Sequence, residues 1–369
     1  MTYARDPRVV LTLDAGGTKF AFSAVQSDRE VVDRVTLPSH ADDLEACLAT
    51  MVEGFTRVRD KAPSRPAAIS FAFPGPADYP RGIIGDTGNL PAFRGGGVAL
   101  GPMLEDRFSV PVFINNDGDL FALGEAIAGF LPWVNGLLEA AGSPKRYRNV
   151  FGATFGTGFG GGIVSDGRLW RGDNSAGGEI WLFRNKLDPK SNIEEAVSIR
   201  AVRRFYAEGA GLDFPESPEP KEIFEIGKGR RAGHRAAAIE AFRRLGEAAG
   251  DALASAITLV DGLVVIGGGL AGAAELFLPA LVEEMNAPFQ TPAGPIMRLE
   301  MKAFNLEDPA EREPFVKGER REVRVPGARR KVTYDPLERI GVGLSRLGTS
   351  RAVSLGAYAF ALSALDERS

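Results

Sequence analysis

The sequence predicts an α/β fold of two related domains, and three observations predict it. Residues 11–25 (L-T-L-D-A-G-G-T-K-F-A-F-S-A-V) and 150–164 (V-F-G-A-T-F-G-T-G-F-G-G-G-I-V) read as two copies of one glycine-turned hairpin, one in each half of the chain. Apolar strand-like runs alternate with segments of helical spacing in both halves. At 369 residues the chain is long enough to build two cores.

The first hairpin continues into a further strand by residue 36. Leu44, Leu48, Met51, Val52 and Phe55 then fall on one helical face within residues 42–61. Residues 67–73 form a buried-type strand stopped by Pro74-Gly75-Pro76, and a loop carries Gly88-Asn89-Leu90-Pro91. Residues 111–117 are a strand ending in the polar pair Asn116-Asp117, followed by a helix through Phe130. The second half repeats the order. After its hairpin (150–172) and a polar stretch to Asn192, helices are expected at 193–206 and 235–259. A short strand at 263–266 runs through Gly267-Gly268-Gly269 into a helix beginning near Ala273. Residues 287–340, rich in Pro, Arg and Glu, read as an inserted excursion, and a helix at 352–365 closes the chain.

A hydrophobic fraction of 44% with 25% charged residues and a net charge of −4 is ordinary for a globular protein and gives no reason to expect nucleic acid or an anionic membrane as partner. No apolar run reaches the ~20 residues that span a bilayer, and the first residues lack a signal-peptide pattern, so a cytoplasmic protein is expected. Cys47 is the only cysteine, and His40 and His234 are the only histidines. Neither a disulfide framework nor a Cys/His zinc site can be assembled from that set, and acid–base chemistry falls to carboxylates.

The two hairpins suit a phosphate ligand, because glycine turns leave backbone N–H groups open to an anion. Asp14 stands at a strand end directly before Gly16, Gly17, Thr18 and Lys19, where a carboxylate can hold hydrated Mg2+. In the second hairpin Gly156, Thr157, Gly158 and Gly160 crowd one short loop. Asp117 lies between a strand's C-terminal end and a helix, which suits a general base and equally an ordinary helix cap. Glu179, after Ala176-Gly177-Gly178, and Glu194 could accept hydrogen bonds from a polyol, although acidic residues also favour a helix's first turn. The run from Gly267 to Gly272 formally matches a dinucleotide fingerprint, but it lies late in the chain without a clear next strand. Backbone packed against a nucleobase and ribose is the better reading of Gly268 and Gly269.

These motifs, in this order, resemble the ROK family of repressors, open reading frames and sugar kinases, within the actin, hexokinase and Hsp70 ATPase superfamily. D-A-G-G-T-K at 14–19 looks like the first phosphate motif, G-T-G-F-G-G-G at 156–162 the second, and V-V-I-G-G-G-L at 264–270 the adenosine motif. N-L-P at 89–91 and N-D-G-D-L-F-A-L-G-E at 116–125 resemble the sugar loop and the catalytic segment.

The resemblance implies two actin-like (ribonuclease H-like) domains with an interdomain cleft: 1–116 with 349–369, and 117–348 with an insertion at about 287–340. It implies an ATP-dependent hexose kinase, glucose first and the 6-hydroxyl as acceptor, that works as a homodimer. Asp117 would be the base; Asn89, Asn116, Glu179, Glu194 and Gly75 would bind sugar. Asp14, Gly16, Gly17, Thr18, Lys19, Gly156, Thr157, Gly158, Gly160, Gly268 and Gly269 would hold ATP and Mg2+. The family usually continues its sugar motif as G-E-I-G-H and then a zinc-binding cysteine cluster. This chain has Gly178-Glu179-Ile180-Trp181-Leu182 and no cysteine nearby, so no zinc is expected. Ala92-Phe93 also replaces the usual Gly-Trp after N-L-P, which leaves fructose, mannose, allose and N-acetylated amino sugars open. The rival from another class is a non-catalytic sugar-binding regulator. Only ten residues precede the first hairpin, too few for the helix-turn-helix of the family's repressors, so DNA binding is not expected. A dehydrogenase ranks third.

Overall fold

The computed structural model describes residues 3–87 and 90–368. They form two compact units, one made of 1–129, 162–178 and 346–369, the other of 130–161 and 179–345.

The first unit opens with β1 (Val10–Ala15), β2 (Lys19–Gln26), β3 (Arg29–Glu30) and β4 (Val35–Pro38). Helix α1 (Leu44–Arg59) follows, capped by Asp43, whose carboxylate accepts from Ala46 N. Its apolar stripe of Cys47, Met51, Phe55 and Val58 is buried, and Gly54 comes so close to the Phe22 ring that a methyl group there would overlap it. The chain continues through β5 (Ala68–Ala72), the short pair β6 (Ala77–Asp78) and β7 (Ile83–Ile84), α2 (Leu100–Phe108), β8 (Val112–Asn115) and α3 (Asp117–Ala128). The sheet order is β3-β2-β1-β5-β8, with β4 also pairing β2. Strands β1 and β2 are antiparallel, whereas β1, β5 and β8 run parallel. The C-terminal ends of those three strands therefore share one edge of the sheet.

The second unit starts with α4 (Phe130–Ala140), then β9 (Val150–Phe155) and β10 (Phe159–Ser165); β11 (Arg168–Trp170) pairs with the end of β10 in the first unit. It continues with α5 (Ile199–Ala210), α6 (Pro220–Gly227), α7 (Arg235–Val260), β12 (Leu263–Gly267) and α8 (Ala274–Met285). The hairpin of β13 (Pro288–Thr291) and β14 (Gly294–Met297) is followed by β15 (Lys302–Asn305) and α9 (Pro309–Lys317). A second hairpin, β16 (Arg321–Arg324) and β17 (Lys331–Tyr334), precedes β18 (Arg339–Leu344), and α10 (Thr349–Arg368) returns to the first unit. The sheet runs β11-β10-β9-β12-β18-β15, and β9, β12, β18 and β15 are parallel. Each unit thus carries a glycine hairpin followed by parallel strands.

Two expectations change. The stretch 287–340 is not wholly an excursion, because β15 and the start of β18 are strands of the main sheet. Strands of four and six residues beside segments rich in Pro, Arg and Glu show too little alternation to be read. The helix expected at 193–206 begins at Ile199 instead: Ser198 caps it, and residues 193–195 form a separate 3-10 turn. Among the described residues, Asp117–Ala140 is the one helical stretch with the length and apolarity to cross a membrane, and 61% of its window is buried. Such burial marks core helix.

Candidate active site

In the first unit, the shared sheet edge gathers the predicted residues because parallel strands end together. Asp14 leaves β1 there, Phe73-Pro74-Gly75 leaves β5, and Asn116-Asp117 leaves β8. The turn after Asp14 closes by Gly16 N donating to Lys19 O at 3.1 Å, and a Cβ on Gly16 would meet that oxygen at 2.9 Å. Ser39 braces the turn from β4, its Oγ donating to Gly17 O at 2.7 Å and its N to Thr18 O at 3.1 Å. Gly16, Gly17, Thr18 and Lys19 remain exposed. Gly75 packs near the Tyr79 hydroxyl, which donates to Phe73 O at 3.0 Å.

Asn116 caps α3: its Oδ1 accepts from Gly118 N at 2.7 Å, and Asp117 Oδ1 shares that donor at 2.9 Å. Solvent still reaches Asp117, yet the protein packed around it raises its pKa above the usual carboxylate value. The hydrogen bond from Gly118 N opposes that rise, and the charge of Asp14 adds to it. Two carboxylates that sense one another thus lie at the carboxyl edge of a parallel sheet, where α/β folds commonly bind ligands. Arg171, not singled out from the sequence, donates from Nη1 to Asn115 Oδ1 at 3.3 Å and lies over the Phe360 ring. No local pattern marks it, because its partner is 56 residues away.

In the second unit the turn between β9 and β10 closes by Gly156 N donating to Gly158 O at 3.0 Å, and Ile199 N donates to Gly156 O at 2.8 Å. Glu194 sits on the 3-10 turn Ile193–Glu195, and its Oε2 accepts from Phe159 N at 3.0 Å. A Cβ on Gly158 would fall 2.4 Å from that oxygen, and one on Gly160 would fall 2.5 Å from Thr154 Oγ1. Packing accounts for those two glycines. Gly156 and Gly269 differ, since a Cβ on either would meet nothing within 4 Å; their open backbone is what an incoming phosphate or ribose needs. Thr157 is exposed between Gly156 and Gly158. Gly268, at φ +89°, fits because a Cβ would strike Phe155 O at 2.3 Å. It leaves β12 beside the end of β9, so both glycine loops occupy one edge of the sheet.

Glu179 precedes the 3-10 turn Ile180–Leu182 and accepts a hydrogen bond from the indole N–H of Trp181. Asn89 lies outside the described residues. Among the described residues no group of three His, Cys, Asp or Glu side chains could hold a metal ion by itself. His234 instead caps α7, its Nδ1 accepting from Ala237 N at 3.1 Å.

The model of the ROK family matches residues 10–302. Among solved structures, a glucokinase from Parabacteroides distasonis is 57% identical, covers 98% of this chain and 99% of its own, and superposes with a TM-score of 0.89. An N-acetyl-D-glucosamine kinase of Vibrio cholerae is 30% identical over 270 residues, 70% of this chain and 83% of that protein. The fold is also that of a ROK family glucokinase from Streptomyces griseus, crystallised with glucose and AMPPNP, at 19% identity, a TM-score of 0.61 and coverage of 95% and 98%. With its two α/β units and glycine loops at the sheet edges, matched by the family model over most of its length, this chain belongs to the ROK family.

Proposed function

We propose that this ROK family sugar kinase transfers the γ-phosphoryl group of ATP to a hexose, with the 6-hydroxyl of glucose as first acceptor. The observation that carries the reading is Asp117. Its carboxylate stands at the carboxyl edge of the β1-β5-β8 sheet, within electrostatic reach of Asp14, with a pKa raised by its surroundings. The similarity to the Parabacteroides glucokinase supports glucose. The Vibrio relative keeps N-acetylglucosamine as the second candidate.

In this reading Asp117 takes the proton from the acceptor hydroxyl as its oxygen bonds to the γ-phosphorus and ADP departs. Asn116, Glu179, Glu194 and Gly75, with Asn89, hold the sugar. Asp14, Gly16, Gly17, Thr18, Lys19, Gly156, Thr157, Gly158, Gly160, Gly268 and Gly269 hold the nucleotide and its metal. Exposed Asp14 offers hard oxygen ligands that suit Mg2+, whereas among the described residues no group of three His, Cys, Asp or Glu side chains stands together to bind zinc. Mg2+ would neutralise phosphate charge; positioning and charge are most of what phosphoryl transfer asks of a protein. A cytoplasmic location fits an ATP-using enzyme whose one membrane-length apolar stretch among the described residues is mostly buried. A homodimer is supported by the exposed β16–β17 hairpin, where Val323, Val332 and Tyr334 meet solvent, because a lone two-stranded sheet is marginal in water. Light scattering should return twice the chain mass; a monomer overturns the dimer.

Glucose, fructose, mannose, allose and N-acetylglucosamine should be compared with ATP by ADP release. Glucose is expected to give the highest kcat/KM, with activity lost in EDTA and restored by Mg2+. Stoichiometric zinc in the purified protein would contradict the metal assignment. Sugar binding without turnover on any hexose would favour the regulator.

A further inference from the structure

Glu179 and Trp181 stand two positions apart across the start of the 3-10 turn Ile180–Leu182. The indole is a donor only, so its N–H can hold one carboxylate oxygen and takes no part as acceptor. Trp181 donates to Glu179 Oε2, and among the described residues Oε1 accepts no hydrogen bond. A glutamate side chain left alone samples several rotamers, and one charge-assisted bond removes most of that freedom.

The turn that carries the indole is itself held from behind. Leu182 N donates to Glu179 O at 3.2 Å and Phe183 N to Ile180 O at 2.9 Å. Asn185, buried, closes the following loop: its N donates to Ser191 O at 3.0 Å, its Nδ2 to Ser191 Oγ at 3.1 Å, and its Oδ1 accepts from Leu187 N at 2.9 Å. Ile193 N then donates to Phe183 O at 2.7 Å, which joins this turn to the one bearing Glu194. The result is a hydrogen-bonded platform of short-range contacts that holds the backbone carrying Trp181.

We infer that Trp181 is a positioning residue: its indole N–H fixes Glu179 through Oε2 so that Oε1 is presented as a hydrogen-bond acceptor for a sugar hydroxyl. The inference rests on the reading that Glu179 binds the sugar. Leu182, 60% exposed on the same turn, brings no polar group, so orientation of the carboxylate falls to the indole.

Trp181→Phe keeps the ring and removes the donor. It should raise the KM for glucose about tenfold, the scale of one hydrogen bond to a charged group, with kcat and the KM for ATP little changed. Glu179→Ala should raise the glucose KM at least as far, and in that background Trp181→Phe should add nothing. A Trp181→Phe variant with the parental glucose KM, or one whose effect multiplies with Glu179→Ala, overturns the positioning role. An unchanged glucose KM in Glu179→Ala overturns the underlying assignment instead, and the two failures are distinct. Trp181→Leu, a second apolar side chain without a donor, is held to the same outcomes should Trp181→Phe lower the melting temperature.

Discussion

Replacing Asp117 by Asn lowers phosphorylation of glucose by about 100-fold or more, the range for loss of a positioned base, while glucose still binds. The amide keeps the shape of the side chain and can still share Gly118 N with Asn116. It cannot take the acceptor proton. Isothermal titration of glucose against the variant, beside steady-state turnover, separates binding from chemistry. The pH profile of the parent enzyme adds an independent check. Desolvation by the protein packed around it raises the Asp117 pKa and the charge of Asp14 raises it further, so the base is lost to protonation at a higher pH than an ordinary aspartate would be. The acid limb of kcat/KM should therefore lie above the usual carboxylate range, and Asp14→Asn should move it towards lower pH. Turnover of Asp117→Asn within a few-fold of the parent would assign the base elsewhere.

The elements around Asp117 were legible because each is specified locally. The β1–β2 hairpin has a largely apolar run on each side of its glycines, and Asn116 is a standard capping residue directly before an apolar helix. The edge that gathers Asp14, Gly75 and Asp117 exists because β1, β5 and β8 run parallel, a pairing that the alternation of strands and helices alone does not specify. What escaped was long-range or short. Arg171 and Ser39 act through partners that only the folded chain brings near. Strands β15 and β18 are too brief and too mixed in composition to announce a place in the sheet. Glu194 was read in a helix's first turn, where acids are favoured, because the hydrogen bond from Phe159 N that draws it to the glycine turn leaves no trace in local sequence. Trp181 did leave one: it stands where the family motif has glycine, and the structure puts its indole on Glu179.

The second large effect is in the scaffold of α3. Gly124 on α3 and Gly356 on α10 face each other's backbones: a Cβ at 124 would fall 2.0 Å from Ala352 O, and one at 356 would fall 1.9 Å from Leu120 O. The contacts recur four residues apart on both helices, and the missing side chains of Gly124 and Gly356 let the two backbones touch. Gly356→Ala brings opposing terms. Alanine in place of a mid-helix glycine gains about 0.5–1 kcal/mol from chain entropy, whereas overpacking a close contact costs about 1–3 kcal/mol or more. The clash is with backbone, which has no rotamer to yield, so the cost wins and the helices must part along a contact that buries Leu120 and Ala357. Because Asp117 is the first residue of α3, the same displacement should lower kcat. Gly136 is the control, exposed in α4 with nothing within 4 Å of its would-be Cβ. Gly136→Ala should melt slightly above the parent and keep full turnover, while Gly356→Ala should melt well below it with reduced kcat. A Gly356→Ala variant as stable and active as Gly136→Ala would mean that α3 and α10 do not pack backbone to backbone.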